Sequence, residues 1–198
     1  ARRTLLPVTA PEVPGAKPAR SAKGKLGSEL ELPVEFFKLP SGIQVAHVER
    51  PHSRVFSIHA AVLGGTRLES AEQAGITNLL AQTWSKGTST KASRAIARII
   101  EGHASGMDGF SGRNSLGLQL TGLDRDWKVL SDLFSETLTD PQFDEAEIGH
   151  SKRVIEDSIK SIEDHSGQLC SRMFLETLFE RHPYGRLSYG SVQTLGKL

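Results

Sequence analysis

The chain has 198 residues, 37% of them hydrophobic and 24% charged, enough to bury the core of one ordinary α/β domain. Its 24 basic and 23 acidic side chains leave a net charge of +1, which argues against a dedicated nucleic-acid or anionic-membrane partner. One cysteine, Cys170, excludes an internal disulfide framework, and no apolar run is long enough for a membrane span.

Residues 1 to about 33 carry Pro7, Pro11, Pro14 and Pro18 among Lys, Ala and Gly, with almost no apolar periodicity. That composition predicts a linker or tail, mostly extended or disordered. The opening ARRTLLPVTA lacks the apolar core of a signal peptide, so an export signal is expected to have been removed or to lie elsewhere. Residues 34–198 are expected to form one domain. Glu35 to Val48 reads as strand, turn, strand about Pro40-Ser41-Gly42. Phe56, Ile58, Ala60 and Val62 alternate with Ser57, His59 and Ala61, the period of a half-buried strand, which Gly64-Gly65 ends.

In GITNLLAQTWSKGT, Gly75 to Thr88, the spacing predicts a short helix with Leu79, Leu80, Thr83 and Trp84 on one face, Ile76 a turn earlier, and Lys86-Gly87 as its stop. Asn78, Ala81 and Gln82 stand at i, i+3 and i+4 on the other face, where a solvated or interface-facing surface is expected. Ser89 or Thr90 is expected to cap a helix that buries Ile96, Ile99 and Ile100 and ends near Glu101-Gly102. Leu116, Leu118 and Leu120 mark another strand, and Trp127, Leu130, Leu133, Phe134 and Leu138 a helical stripe broken at Asp140-Pro141. A long helix from about Asp144 to Asp164 carries Ile148, Ile155, Ile159 and Ile162 on one side. A final helix carries Leu169, Met173, Phe174 and Leu178, with Cys170 expected as a buried, inert thiol.

Common catalytic signatures are missing. His47, His52, His59, His103, His150, His165 and His182 include no pair at i, i+3 or i+4, which gives a metal site rebuilt from histidines little support. No G-x-S-x-G supplies a strained nucleophile turn, and Gly64-Gly65-Thr66 lacks the lysine and spacing of a phosphate-cradling loop.

The Gly75 to Thr88 stretch nevertheless resembles the zinc-binding helix of M16 metallopeptidases, the family of pitrilysin, insulysin and mitochondrial processing peptidase, whose motif is G-x-x-H-x-x-E-H-x-x-x-K-G-T. Gly75, Lys86, Gly87 and Thr88 match, while Asn78, Ala81 and Gln82 stand at the positions of the first His, the Glu and the second His. GGTRLESAEQAG (Gly64 to Gly75), Asp140-Pro141-Gln142-Phe143 and His182-Pro183-Tyr184-Gly185 are similar to further family landmarks, so the resemblance runs from about Phe36 to Gly190. In the family the two His hold zinc and the Glu activates its water; aligning the long helix puts Ser158 at the third ligand. A methyl group accepts no proton, and amide oxygens are weak zinc ligands beside imidazole or carboxylate.

The resemblance therefore implies an α+β domain, an α/β sandwich with a mixed, mainly antiparallel sheet and helices packed chiefly on one face. It implies no catalytic residue and no metal here, with zinc expected only in a partner catalytic half, in the same chain or in another subunit, to which the proline-rich segment would be a tether. SGMDGFS, Ser105 to Ser111, corresponds to an edge strand that pairs with extended substrate, with Asp108 and Gly109 where the family has Asn and Ala. The expected peptide contacts are Asp108, Gly109, Phe110 and Ser111, together with the helix face of Asn78 and Gln82, on an edge loosened by Gly106, Gly109 and Gly112. Two functions are compatible with this: a non-catalytic domain that closes a peptidase chamber and holds peptide, or a scaffold of the same fold with no peptidase role. The compartment stays open between an exported bacterial location and a mitochondrial one.

Overall fold

A computed structural model describes residues 34–198; the linker expected over residues 1–33 lies outside the described residues. The chain divides into two compact units at Pro51 and His52. In the first, β1 (Val34–Lys38) pairs antiparallel with β2 (Gln44–Val48), Val34 opposite Val48 and Lys38 opposite Gln44. Its turn closes through the Gly42 N–H on the Leu39 carbonyl (2.8 Å) and the Leu39 N–H on the Ile43 carbonyl (2.9 Å).

In the second unit, β3 (Val55–Leu63), β4 (Gly106–Ser111) and β5 (Ser115–Leu123) form an antiparallel sheet in the order β3-β5-β4. Ile58 and Met107 lie opposite Leu120 on either side, and Ala60 and Gly109 opposite Leu118. Since successive strand residues point to opposite faces, this register gathers Phe56, Ile58, Ala60, Met107, Leu118 and Leu120 on one face. Ile96 of α2 (Ser93–Gly102) and Leu130, Leu133 and Phe134 of α3 (Trp127–Thr139) pack on that face, leaving Leu118, Leu120 and Leu130 with no exposed surface. Each such side chain contributes about 1.5–3 kcal/mol by leaving water. The opposite face carries Ser57, His59, Asp108, Gln119 and Thr121, so the sheet is one-sided, as expected for this architecture.

A second cluster joins Leu79 of α1 (Ile76–Trp84) to Ile155 and Ile159 of α4 (Glu145–Glu163) and Leu195 of α6 (Val192–Leu195). Helix α4 begins at an N-cap whose Asp144 carboxylate accepts from the Ala146 and Glu147 amides, with Glu145 and Glu147 in its first turn.

Two expectations are corrected. On α5 (Ser166–Leu178), Met173, Phe174 and Leu178 are about 60% exposed, and Cys170 is exposed rather than buried. The half-buried positions are instead Leu169, Arg172 and Leu175, a stripe the apolar count alone does not show. Helix α2 is capped by Ala92 without a side-chain bond. Ser89 and Thr90 are drawn off to α3: the Ser89 hydroxyl donates to Asp140, and Thr88 (2.6 Å), Thr90 and the Lys91 ammonium (2.5 Å) all donate to Glu136.

The Lys91 bond first, then those from Thr88 and Thr90, hold the Glu136 carboxyl well below its ordinary 4.5, at about 2. A depressed carboxylate stabilises the fold fully above its unfolded pKa, and that stability is lost as pH falls from about 4.5 toward about 2. Glu136→Gln should therefore flatten this part of the acid limb in thermal-melt midpoints measured against pH. An unchanged acid limb in the variant would show that the Glu136 clasp contributes nothing.

Candidate functional site

Helix α1 starts from a left-handed residue, Gly75 (φ 97°), where a Cβ would lie 2.5 Å from the Tyr189 carbonyl oxygen; only glycine fits that corner. Its first amides are met by Glu69, 7% exposed, whose Oε2 accepts from the Gly75 N–H (2.9 Å) and Oε1 from the Thr77 N–H (3.0 Å). A carboxylate there satisfies otherwise orphaned donors and complements the positive end of the helix dipole. Thr77 Oγ1 donates to Glu69 Oε1 (2.5 Å) and accepts from Ser111 Oγ (3.0 Å), which ties the helix start to the end of β4. The Arg186 guanidinium donates to the Glu69 carbonyl (2.9 Å).

From this anchored start α1 runs against β4. It is wrapped on both sides rather than half exposed: Leu79 and Thr83 are buried, Leu80 and Trp84 half-buried, and Ile76, expected on the apolar face, is exposed. Ala81 is also buried, 4% exposed, which corrects the expectation of an open surface at all three degenerate positions. It lies on the β4 backbone, where a Cβ at Gly109 would come within 2.1 Å of the Ala81 carbonyl oxygen. Gly109 is thus a packing glycine that lets helix and strand touch, not a loosening one.

Asn78 and Gln82 are half-buried and joined by one hydrogen bond, Gln82 Nε2 donating to Asn78 Oδ1 at 3.2 Å. Ser158 flanks the buried stripe of α4 and donates to its own helix at the Val154 carbonyl (2.9 Å). These residues do not fit zinc: two neutral amides bonded to each other, a buried methyl group and a hydroxyl turned onto its helix form no anionic or imidazole donor set. Among the described residues no three His, Cys, Asp or Glu side chains gather to hold a metal.

Strand β4 is an edge, paired among the described residues with β5 alone. The Gly112 N–H donates to the Ser115 carbonyl (2.8 Å), and alternation from that bond turns the amides of Asp108 and Phe110 toward β5 and those of Met107, Gly109 and Ser111 outward. Asp108 is exposed on the open face, and the Phe110 ring lies over Gly117. On the same face Ser57 Oγ and His59 Nε2 are 3.1 Å apart. Gln119 stands between His59 and Asp108 in the register, two strand spacings or roughly 9–10 Å, so the three form no hydrolytic relay. The sequence places Glu69 in the loop that leads from sheet to helix but does not show that it meets the helix amides, because Glu72 stands in the same loop nearer to Gly75.

The site is a helix fixed at its start and laid along a free sheet edge, with no metal-binding set among the described residues. Residues 44–191 match the insulinase family, peptidase family M16, and the chain belongs to that family. It is 24% identical over 162 residues to the uncharacterized zinc protease YmxG of Bacillus subtilis, covering 82% of this chain and 40% of that one. To mitochondrial-processing peptidase subunit alpha-1 of Dictyostelium discoideum it is 24% identical over 188 residues, 93% of this chain and 28% of that one. A crystal structure titled as a peptidase M16 inactive domain from Pseudomonas fluorescens superposes with a TM-score of 0.78 at 21% identity, covering 84% of this chain and 41% of that one. A protease from Helicobacter pylori gives 0.76 at 17%, with the same coverage. The chain thus spans well under half the length of each of these proteins. Among the described residues no helix is long and apolar enough to cross a membrane.

The close approach of α1 to β4 predicts contrasting effects of one methyl group. Gly109→Ala should cost about 1–3 kcal/mol in urea denaturation, because the helix backbone has nowhere to retreat. Gly106→Ala, with nothing within 4 Å of the new methyl, should stay within about 0.5 kcal/mol of wild type. Equal costs at both positions would contradict the packing described for Gly109.

Proposed function

We propose that this chain is a non-catalytic M16 domain that holds extended peptide along the free edge of β4 and closes a chamber in which a partner half carries the zinc. The partner is a catalytic half, in the same polypeptide or in another subunit. The observation that carries this reading is α1. Its anchoring frame, from Glu69 and Gly75 to Gly87 and Thr88, is kept, while the positions that ligate and activate in the family motif hold an amide pair and a buried methyl group. A domain built this way contributes binding and geometry rather than bond cleavage.

The outward amides of Met107, Gly109 and Ser111 are the groups an added peptide strand would use, because backbone pairing at an edge does not depend on side-chain identity. Asp108 and Phe110 face the open side of the sheet beside that edge. The Pseudomonas fluorescens structure titled an inactive M16 domain supports the same division of labour. One observation favours a second reading, a scaffold that docks proteins without holding peptide: the exposed Met173, Phe174 and Leu178 on α5.

Backbone hydrogen exchange separates the two. Saturating the chain with an unfolded, protease-resistant peptide should slow exchange at the Met107, Gly109 and Ser111 amides by about tenfold or more, and leave the α5 amides unchanged. Unchanged exchange along β4 would turn the reading to the scaffold.

A further inference from the structure

We infer that the cavity at the loop end of β4 is a binding site for a carboxylate carried by a peptide. This rests on the reading of β4 as a peptide-holding edge and adds the chemistry of the peptide it selects. The cavity measures about 190 Å³ and is lined by Arg113, Arg172 and Arg186, with no acidic side chain in its wall. The three arginines come from the tip of the β4–β5 hairpin, from α5 and from the segment after His182-Pro183-Tyr184-Gly185, so the fold itself brings them together. Three arginines in the wall of one small space make it a cationic one, and an anion there offsets their charge.

Each arginine keeps donors to spare. Arg186 spends Nη1 on the Glu69 carbonyl, which leaves Nε and Nη2. Arg172 spends Nε on Glu176 (2.8 Å), the one carboxylate paired with the cluster, which leaves both terminal nitrogens. The Arg113 guanidinium lies 5.4 Å from the centre of the Tyr184 ring, and among the described residues its side chain has no hydrogen-bond or ion-pair partner. Stacking of this kind fixes the plane of the fork without consuming its N–H groups.

The rest of the wall is neutral. Thr66 lines the cavity, is 1% exposed, and its hydroxyl has no hydrogen-bond partner among the described residues. The volume admits an acidic side chain with its methylene groups and is smaller than the pockets that hold drug-sized ligands. Position decides the source: Ser111 and Gly112, the last residues on the β4 side, also line the cavity, so a strand added to that edge runs into it. An acidic side chain of the bound peptide is the group that arrives there.

The test walks a single Glu through an otherwise neutral extended peptide, pairs each version with its Gln counterpart, and measures binding to the 198-residue chain by fluorescence anisotropy. One register should prefer Glu by about tenfold, as charge-assisted pairing with arginine gives. That preference should vanish in Arg113→Gln and Arg172→Gln, and inorganic phosphate should compete with the Glu peptide but not with the Gln peptide. Arg113 is an exposed hairpin side chain, and matched far-ultraviolet circular dichroism of the variants checks that the fold is kept. Peptides that bind with no Glu preference at any position would overturn the anion site and leave the β4 edge standing. Binding of phosphate that depends on Arg113, without any peptide binding, would overturn the peptide source together with the edge reading.

Discussion

The Glu69 carboxylate at the start of α1 is the interaction on which the site depends. One buried side chain meets the Gly75 and Thr77 amides, accepts the Thr77 hydroxyl, and through that hydroxyl reaches Ser111 at the end of β4. Helix and edge strand are therefore positioned by one charge at a helix dipole, before apolar packing adds its share. Leu79 then docks α1 on α4 and α6, Trp84 reaches the Thr137 carbonyl (3.2 Å), and Ala81 closes on Gly109. Removing the metal-binding side chains from such a helix leaves its placement intact, because none of these contacts uses them.

That separation explains how a frame outlasts its chemistry. Asn78 and Gln82 are close in size to the histidine-type ligands whose motif positions they occupy, and one hydrogen bond joins them within one turn. At Ala81 the backbone of α1 lies directly against a glycine on β4. At this point the helix face is a packing contact, and the strand edge lies next to it.

Much of this was legible in the sequence, for physical reasons that differ by element. Alternation in β3 and β5 and the isoleucine spacing of α4 report burial directly, so these elements and their inward faces were readable. Short motifs in fixed order gave the family, and with it the expectation that Asn78, Ala81, Gln82 and Ser158 hold no metal. Helix α5 was misread because a stripe of Cys170, Met173, Phe174 and Leu178 looks like a core face, whereas the fold buries the stripe containing Arg172 and Leu175. Ser89 and Thr90 have good capping chemistry, but the Asp140 and Glu136 carboxylates compete for them, and these rivals lie 51 and 46 residues away in sequence. The arginine cavity was invisible for the same reason: Arg113, Arg172 and Arg186 meet only after folding.

The most direct measurement is metal content after the purified 198-residue chain has been saturated with zinc and passed through a desalting column, with hydrolysis of an unfolded peptide followed on the same sample. A binding domain stripped of its ligands should retain far less than stoichiometric zinc and cleave nothing. Stoichiometric zinc that is lost in Asn78→Ala or Gln82→Ala, accompanied by zinc-dependent cleavage, would contradict it and return α1 to the status of a catalytic helix.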